Sequence, residues 1–409
     1  MRIDTREDCI TADENDPLRA CRERFLLPEG LIYLDGNSLG PLPRATPDLL
    51  NRAVKEEWGR DLIGSWNSHG WMALPESLGD RIGELTGAAP GQVVVTDSTS
   101  VNLYKLLYAA LALCPGRGII LSEEGNFPTD LYIAQGLEER AELRMVARGE
   151  LPAAIDESVA VLMLTQVDYR TGALWDMKEM TRAAHDAGAL ILWDLSHSAG
   201  ALPVDLDGCG ADLAVGCGYK YLNGGPGAPA FLYVARHLQE EIRNPLSGWM
   251  GHAAPFDFST DYAPAPGIRR MLCGTPSVLA LRALEAGLQT FADTDMAALR
   301  EKSLALTGLF MALVERRLPA DTFEIVTPRE EHLRGSQVSI RHTGGYAFMQ
   351  ALIEAGVTGD FRSPDLMRFG FTPLYTRFTD VWDAVEHMVA IHRDGRWRDK
   401  RYNRRQAVT

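Results

Sequence analysis

One lysine of this sequence lies within an unusually glycine-rich stretch. Lys220 stands between Tyr219 and Tyr221 in GCGYKYLNGGPG, residues 216–227. Because glycine costs backbone entropy wherever its freedom is not needed, the stretch indicates a backbone that something approaches closely. It matches neither the P-loop pattern GxxxxGKS/T nor GxGxxG, so nucleotide binding has no motif support. A lysine in such a place can instead bond covalently to a carbonyl group.

A carboxylate precedes this lysine at the end of an apolar run. Asp194 closes the run ALILWD, and His197 follows three residues later in DLSHSAG. A buried carboxylate needs a partner or it takes up a proton, which makes Asp194 a candidate functional residue. The alternative, that the two side chains only cap a turn, stays open at this point.

Two hydroxyl side chains follow another apolar run. Thr99 and Ser100 come after QVVVTDS, where we expect a helix to begin. Hydroxyl groups, unpaired backbone N–H groups and the helix dipole together attract anions, so a bound phosphate is one interpretation. Simple capping of the helix explains the same two residues equally well.

An aromatic residue follows a third apolar run, GIILS. Phe127 lies in NFPTD, residues 126–130, and a ring at the end of a strand can stack on a flat cofactor. The alternative is a turn formed with Pro128, with Asp130 capping the next helix. Thr165, at the end of a fourth run, VAVLMLT, is weak evidence by itself.

Together these side chains fit one cofactor, pyridoxal 5′-phosphate. Lys220 would bond to its aldehyde, and Asp194 would keep its pyridine nitrogen protonated so that the ring accepts electrons. Phe127 would stack on the ring, and the helix start at Thr99 would bind the phosphate. Tyr219 is a candidate for a second acid or base, or for a phosphate ligand.

The elements that position these residues indicate an α/β fold. Apolar runs alternate with helical patterns such as residues 177–187. Runs that are apolar on both faces and separated by helices predict a buried, mostly parallel sheet, with ligands beyond the carboxyl ends of its strands. Six runs are predicted strands: QVVVT (92–96), GIILS (118–122), VAVLMLT (159–165), ALILWD (189–194), DLAVG (212–216) and PAFLYV (229–234).

The pattern changes near residue 275. A long amphipathic helix, SVLALRALEAGLQTFA, is followed by short strands such as QVSIR. We therefore predict a large domain over residues 61–275, and a smaller α+β domain formed by residues 1–60 and 276–409.

Composition and charge argue against several classes of function. The formal net charge of −14 and the pI near 5.2 disfavour nucleic acid as a main partner. The six cysteines show no CxxC pair and no metal-ligand spacing with histidine, so no metal is predicted. Since no apolar run approaches a membrane-spanning length and the polar start is unlike a signal peptide, we expect no membrane contact and a cytoplasmic location.

The motifs resemble those of the fold-type I pyridoxal-phosphate enzymes and, within these, the kynureninase family. The resemblance covers nearly the whole chain through YLDGNSLGPLP, STSVNL, NFPTD, YRTG, WDLSHSAG, GCGYKYLNGGPGAPAF and RFGFTPLYTRFTDV. It implies a homodimer with the active site at the subunit interface. It also implies hydrolysis of L-kynurenine or 3-hydroxykynurenine to anthranilate or 3-hydroxyanthranilate and L-alanine, in tryptophan degradation or NAD biosynthesis.

The resemblance implies roles for individual residues. Lys220 matches the lysine that bonds to the cofactor, and Asp194 matches the partner of the pyridine nitrogen. The other matched cofactor positions are Thr99, Ser100, Phe127, Pro128, Thr129, Asp130, Thr165, His197 and Tyr219, with Trp249 and Thr275 reaching the cofactor from the partner subunit. Several relatives carry asparagine where Thr275 stands.

Four further positions match substrate contacts in the same family. Arg368 matches the arginine that clamps the substrate α-carboxylate, which suits its two-pronged guanidinium group. Asn37 and Ser38 lie in the matched NSLG motif, and Trp66 stands where relatives differ in their preference for the substrate ring.

Three alternatives remain beside this interpretation: an aminotransferase, a cysteine desulfurase, and a pyridoxal-phosphate-binding protein without turnover. A desulfurase needs a reactive cysteine in a late loop, whereas the last cysteine here is Cys273. An aminotransferase fits the lysine and the arginine but not the narrower motifs. Nothing in the sequence favours the non-catalytic alternative.

Overall fold

The computed structural model describes residues 3–406. Its strands are β1 (Ile32–Tyr33), β2 (Val93–Val95), β3 (Ile119–Glu123), β4 (Glu142–Val146), β5 (Val159–Thr165), β6 (Leu190–Asp194), β7 (Leu213–Gly216), β8 (Phe231–Val234), β9 (Glu324–Ile325), β10 (Gln337–Arg341), β11 (Val357–Thr358), β12 (Asp360–Arg362) and β13 (Leu366–Gly370). Its α-helices are α1 (Arg6–Glu14), α2 (Thr46–Arg52), α3 (Ser65–Ser68), α4 (Leu74–Thr86), α5 (Thr99–Leu113), α6 (Pro128–Gln135), α7 (Leu151–Ala154), α8 (Met177–Asp186), α9 (Leu206–Cys209), α10 (Val278–Gln289), α11 (Met296–Arg317), α12 (Gly345–Glu354) and α13 (Phe378–Asp394). Among the residues described, no helix combines the length and the apolar character needed to cross a membrane.

The chain divides into two compact units. The larger unit consists of Thr46–Asp168 and Trp175–Leu288, and the smaller unit consists of the chain up to Ala45, Tyr169–Leu174 and the chain from Gln289 onward. The limits indicated by the sequence pattern, residues 61 and 275, both lie inside the larger unit. Helix α10 belongs to the larger unit as far as Leu288, and Gly287 packs directly on backbone there: a Cβ at Gly287 would lie 2.4 Å from the Leu222 carbonyl oxygen.

A seven-stranded sheet forms the centre of the larger unit. Its strand order is β2-β8-β7-β6-β5-β3-β4. Strands β4, β3, β5, β6 and β7 are parallel, and β8 is antiparallel to both of its neighbours. Every residue of β3, β5 and β7 is buried, as the apolar runs predict. The predicted mostly parallel sheet is confirmed, and each of the six predicted strands is present.

One strand of this sheet, β4, was not predicted by the sequence pattern. Its residues ELRMV are half-buried or exposed, and it lies at the edge of the sheet beside β3. An edge strand is less covered than a central one and tolerates charged residues such as Glu142 and Arg144. The continuous apolar run that marks the central strands is therefore missing.

The smaller unit contains an antiparallel sheet of order β12-β13-β10-β9. The N-terminal segment contributes β1, which pairs in parallel with β11. Residues from α11, α12 and α13 pack with this sheet in one apolar core, which includes Phe310, Phe348 and Phe369. This unit thus has the α+β character that the sequence indicates.

Candidate active site

Two neighbouring strands of the larger unit bring polar side chains together at their carboxyl ends. Thr165 and Asp194 are the last residues of β5 and β6 and lie opposite each other in the parallel register. Asp194 is 2% exposed, and its Oδ1 accepts a hydrogen bond from the Ser196 backbone N–H at 2.7 Å. The Thr165 hydroxyl donates to the Asn126 side chain and lies 3.4 Å from an Asp130 carboxylate oxygen.

Asp130 and Asp194 form a close pair of buried carboxyl groups. Burial, and next the charge and hydrogen bond of Asp194, raise the pKa of Asp130 well above its usual range, while Lys220 opposes this shift. Two like charges this close do not both ionise readily, so Asp130 holds a proton more firmly than an isolated carboxyl group does. A pair that shares one proton carries a single negative charge, which suits the binding of one protonated ring nitrogen.

Lys220 lies in the loop between β7 and β8 and faces two of the predicted site residues. Its Nζ is 3.0 Å from Nε2 of the buried His197. The same nitrogen is 5.8 Å from the centre of the Phe127 ring, which is 37% exposed at the start of α6. Pro128 and Thr129, both half-buried, are the first two residues of that helix. The amine, the aromatic ring and the carboxyl pair therefore gather at one end of the sheet.

The glycines around Lys220 allow the close approach to the backbone that the sequence indicates. A Cβ at Gly218 would lie 2.4 Å from the Pro229 carbonyl oxygen, and one at Gly224 would lie 2.7 Å from the carbonyl oxygen of Gly218. Gly225 and Gly227 have φ values of 82° and 74°, which favour glycine. The close approach is thus made by the loop's own backbone, which folds back on itself and fixes the position of the lysine.

A cavity of about 420 Å³ lies at the start of α5. The helix begins at Thr99, and Ser98 is its cap, since the Ser98 hydroxyl accepts a hydrogen bond from the Val101 N–H at 3.3 Å. Capping therefore does not occupy the hydroxyl of Thr99, which lines the cavity together with Tyr219 and Thr275. Ser100 follows in the first helical turn, where backbone N–H groups lack intrahelical acceptors.

Trp66 and Trp249 belong to a half-exposed cluster of rings in the larger unit. Their ring centres are 5.9 Å apart. Trp66 also contacts Trp71 at 5.7 Å, and Trp249 contacts Phe256 at 6.0 Å. All of these contacts are edge-on or near edge-on, which is the favourable geometry for aromatic pairs.

Arg368 lies in the smaller unit, on the central strand β13, and is 1% exposed. Its Nε donates to the Asp360 carboxylate at 2.6 Å, and one terminal nitrogen donates to the same carboxylate. The terminal nitrogens also contact the Ser38 hydroxyl at 3.2 Å and the Tyr169 carbonyl oxygen at 2.5 Å. One edge of the guanidinium group is thus bound by Asp360, and its far end faces weaker, neutral acceptors.

Asn37 precedes Ser38, which contacts Arg368, and its side chain has an unusual environment. Its side chain is fully buried, and neither its amide nitrogen nor its amide oxygen has a hydrogen-bond partner among the residues described. Its amide oxygen packs against Gly370, where a Cβ would lie 2.0 Å away. An unsatisfied buried amide is costly, and it is typical of a place that a polar ligand completes.

The residues of the larger unit fit pyridoxal 5′-phosphate. The carboxyl pair suits the ring nitrogen, the half-exposed Phe127 ring suits stacking, Lys220 suits the aldehyde, and the start of α5 suits a phosphate. No cluster of three or more potential metal ligands occurs in residues 3–406.

Comparison with known proteins identifies the family. A curated kynureninase from Burkholderia pseudomallei (strain 1106a) is 54% identical over 414 residues, covering 99% of this chain and 100% of the relative. The chain belongs to the kynureninase family. The Pseudomonas fluorescens kynureninase is 53% identical with the same coverage of both chains. The family model of the kynureninase C-terminal domain matches residues 299–388.

Solved structures show the fold that kynureninases share with other enzymes. A cysteine desulfurase from Thermococcus onnurineus NA1 superposes with a TM-score of 0.78 at 18% identity, covering 92% of this chain and 98% of the other. A cysteine desulfurase from Escherichia coli gives 0.76 at 21% identity, with the same coverage. At these identities the likeness concerns the fold alone, which is that of the fold-type I pyridoxal-phosphate enzymes.

Three residues of these clusters were missed by sequence reasoning. Asn126 holds Thr165 and accepts the Phe127 N–H at 2.7 Å, and its position in NFPTD was the available signal. Ser98 is the helix cap, signalled by its place before Thr99. Asp360 is brought to Arg368 by antiparallel pairing of β12 with β13, and no sequence signal marked it.

Proposed function

We propose that this protein hydrolyses L-kynurenine to anthranilate and L-alanine with pyridoxal 5′-phosphate as its cofactor. The observation that carries the proposal is the similarity to curated kynureninases over the whole chain. It is supported by the contact between Lys220 and His197 beside the buried carboxyl pair.

When bound, pyridoxal 5′-phosphate supplies an electron sink that stabilises negative charge on the substrate carbon next to its amino group. Asp194 would hold the pyridine nitrogen in its protonated form, because a buried carboxylate favours a positive charge beside it. Because the pKa of Asp130 is raised, the pair would share one proton and offer one negative charge to one positive charge. Phe127 orients the ring by stacking.

Lys220 and Tyr219 move protons in the proposed reaction. The Lys220 amine removes the proton from the substrate Cα, with His197 positioning it through their 3.0 Å contact. Water adds to the γ-carbonyl carbon, and the Cβ–Cγ bond breaks so that Cγ becomes the carboxyl group of anthranilate. Cβ takes up a proton to become the alanine methyl group, and Lys220 returns a proton to Cα. Burial raises the pKa of Tyr219, so its hydroxyl remains protonated at neutral pH and is available as the donor.

Arg368 is proposed to bind the substrate α-carboxylate, with Asp360 as the residue that orients it. We expect Arg368→Lys to raise KM for kynurenine roughly 10–100-fold with a smaller change in kcat, since a charge-assisted pair contributes about 1.5–3 kcal/mol. Steady-state kinetics on purified protein measure both constants.

Lysine is chosen at this position because alanine would leave the buried Asp360 without its main partner. Arg341→Ala on the neighbouring strand β10, where the arginine is exposed, is the matched control and should leave both constants unchanged. An unaltered KM in Arg368→Lys would contradict the assigned role.

The function is tested by the fluorescence of anthranilate on adding L-kynurenine to the purified protein with pyridoxal 5′-phosphate. A parallel assay with 3-hydroxykynurenine, followed by product absorbance, gives the preference between the two substrates. Product that depends on the cofactor is the expected result. No product from either substrate, despite bound cofactor, would refute the function.

We further propose a cytoplasmic homodimer whose interface includes the aromatic cluster. Residues close in sequence to the members of that cluster are apolar and exposed: Trp58 is 58% exposed, Ile63 is 81% exposed and Phe258 is 85% exposed. Exposed apolar residues in such number are typical of an interaction surface. The six cysteines are all free thiols, as is usual in a reducing compartment.

Ile63→Glu is expected to weaken dimerisation at least about tenfold, because it places a charge in an apolar contact. Sedimentation velocity over a concentration series measures the change. Ile10→Glu on α1, at a 39% exposed position, is the control and should sediment like the unmodified protein. A monomeric unmodified protein would refute the proposed dimer.

A further inference from the structure

One fully buried lysine takes no part in the proposed reaction. Lys105 lies on α5 and is 0% exposed. Its ammonium group donates to the Asp97 carboxylate and, at 2.8 Å, to the backbone oxygen of Met271. Lysine is almost never fully buried unless it is paired, so the Asp97–Lys105 pair needs a structural or functional reason.

Asp97 connects this pair to the cavity at the start of α5. It lies in the loop before the helix with φ of 48°, a conformation unusual for a residue with a side chain. It lines the cavity together with Thr99 and Tyr219, and its side chain is 31% exposed. Its carboxylate also accepts a hydrogen bond from the Thr96 hydroxyl at 2.9 Å.

A carboxylate at this place is unfavourable for a phosphate. The helix dipole attracts the phosphate proposed to bind at the start of α5. The negative charge of Asp97 in the cavity lining would repel the same phosphate, because both groups are anionic. Lys105 lies behind Asp97, on the protein side, and neutralises its charge without entering the cavity lining.

Lys105 also joins two segments that line the same cavity. Through Asp97 it holds the loop before α5, and through Met271 it holds the segment that continues to Leu272 and Thr275. The loop is held at two more points: the Asn102 amide donates to the Thr96 carbonyl oxygen at 2.8 Å, and the Ala230 N–H donates to the Asp97 carbonyl oxygen at 2.9 Å. Removal of the ammonium group should therefore change the charge at the cavity more than the path of the loop.

We propose that Lys105 is a positioning residue for the cofactor phosphate, which acts by neutralising Asp97 and holding it at the edge of the cavity. The proposal rests on the placement of that phosphate at the start of α5. It assigns to Lys105 a share of the preference for pyridoxal 5′-phosphate over pyridoxal, which lacks the phosphate. Both compounds carry the aldehyde to which Lys220 would bond, so a change that acts through the phosphate should alter the affinity for pyridoxal 5′-phosphate alone.

The test compares the affinity of the full-length, cofactor-free protein for pyridoxal 5′-phosphate and for pyridoxal, each measured by tryptophan fluorescence quenching. Lys105→Met leaves Asp97 uncompensated, so we expect the affinity for pyridoxal 5′-phosphate to fall about tenfold and that for pyridoxal to change by less than about twofold. The double variant Lys105→Met/Asp97→Asn removes both charges and should recover most of the loss. Lys178→Met, at an exposed position on α8, is the matched control.

Each outcome bears on the proposal. Equal losses for both compounds would show a purely structural role and overturn it, as would unchanged affinities in Lys105→Met. If Lys105→Met does not fold, the double variant decides, because a neutral buried pair usually folds and should keep a preference near that of the unmodified protein; a preference lost in the double variant would overturn the proposal.

Thr99→Ala tests the placement of the phosphate at the start of α5 separately from the role of Lys105. A selective loss of pyridoxal 5′-phosphate affinity in this variant supports the phosphate site at the start of α5. If Thr99→Ala has no effect while Lys105→Met has a selective one, the Thr99 contact is wrong and the electrostatic role of Lys105 stands.

Discussion

Lys220→Ala is expected to lower the turnover of kynurenine by at least about 10³-fold, because it removes both the amine that bonds to the cofactor and the base that takes the Cα proton. Borohydride reduction followed by peptide mass spectrometry should find the cofactor on the Lys220 peptide of the unmodified protein and on no peptide of the variant. Anthranilate fluorescence measures the loss of turnover.

Two further variants show whether the loss of turnover is specific to the Lys220 amine. Lys220→Arg keeps the positive charge near the buried carboxyl pair but not the nucleophile, so it should be as inactive as the alanine variant. Lys178→Ala, on the exposed face of α8, should keep full activity. Substantial turnover by either Lys220 variant would remove this lysine from the mechanism.

Asp194→Asn is expected to reduce kcat roughly 10²–10³-fold while the cofactor remains bound, in line with the loss of one electrostatic stabiliser in a buried site. A neutral amide no longer favours a protonated ring nitrogen, so the electron sink is weakened. The substitution preserves shape, and an amide oxygen can still accept the Ser196 N–H bond that Asp194 accepts at 2.7 Å. Steady-state kinetics and a cofactor titration on the same preparation distinguish a loss of kcat from a loss of cofactor binding.

Asp186→Asn tests whether any loss of an acidic residue has this effect. Asp186 is exposed at the end of α8 and forms a loose ion pair with Arg182 at 3.8 Å. We expect unchanged kinetics in that variant. Full activity of Asp194→Asn would show that ring-nitrogen protonation does not limit the reaction.

The central strands could be predicted because burial on both faces requires continuous apolar runs. The run VAVLMLT coincides with β5, Val159–Thr165, and QVSIR coincides with β10, Gln337–Arg341. The edge strand β4 could not be predicted in this way, because its half-exposed residues alternate without an apolar run. Helix α10 shows a second limit of prediction from sequence. An amphipathic pattern indicates that one face of a helix is buried, but it does not indicate which of the two units buries that face.

The candidate site was predictable to the extent that parallel strands share one carboxyl edge. This rule is sufficient to group Thr165 with Asp194, which are register partners in the structure. The partner of Arg368 was not predictable, because Asp360 reaches it only through the pairing of β12 with β13. The burial of Lys105 was equally hidden, since a lysine on a helix normally faces solvent.

The sequence by itself determined the class of fold, the cofactor chemistry and the family, because apolar periodicity and motif residues are local properties of the chain. Only the tertiary structure decided the electrostatic state of the site. The raised pKa of Asp130, on helix α6, depends on burial and on the proximity of Asp194, at the end of β6. The role of the glycines around Lys220 was decided in the same way, by the approach of the Pro229 backbone. Both properties depend on distances that exist only in the folded chain, between Asp130 and Asp194 and within the loop around Lys220, and no sequence pattern encodes those distances.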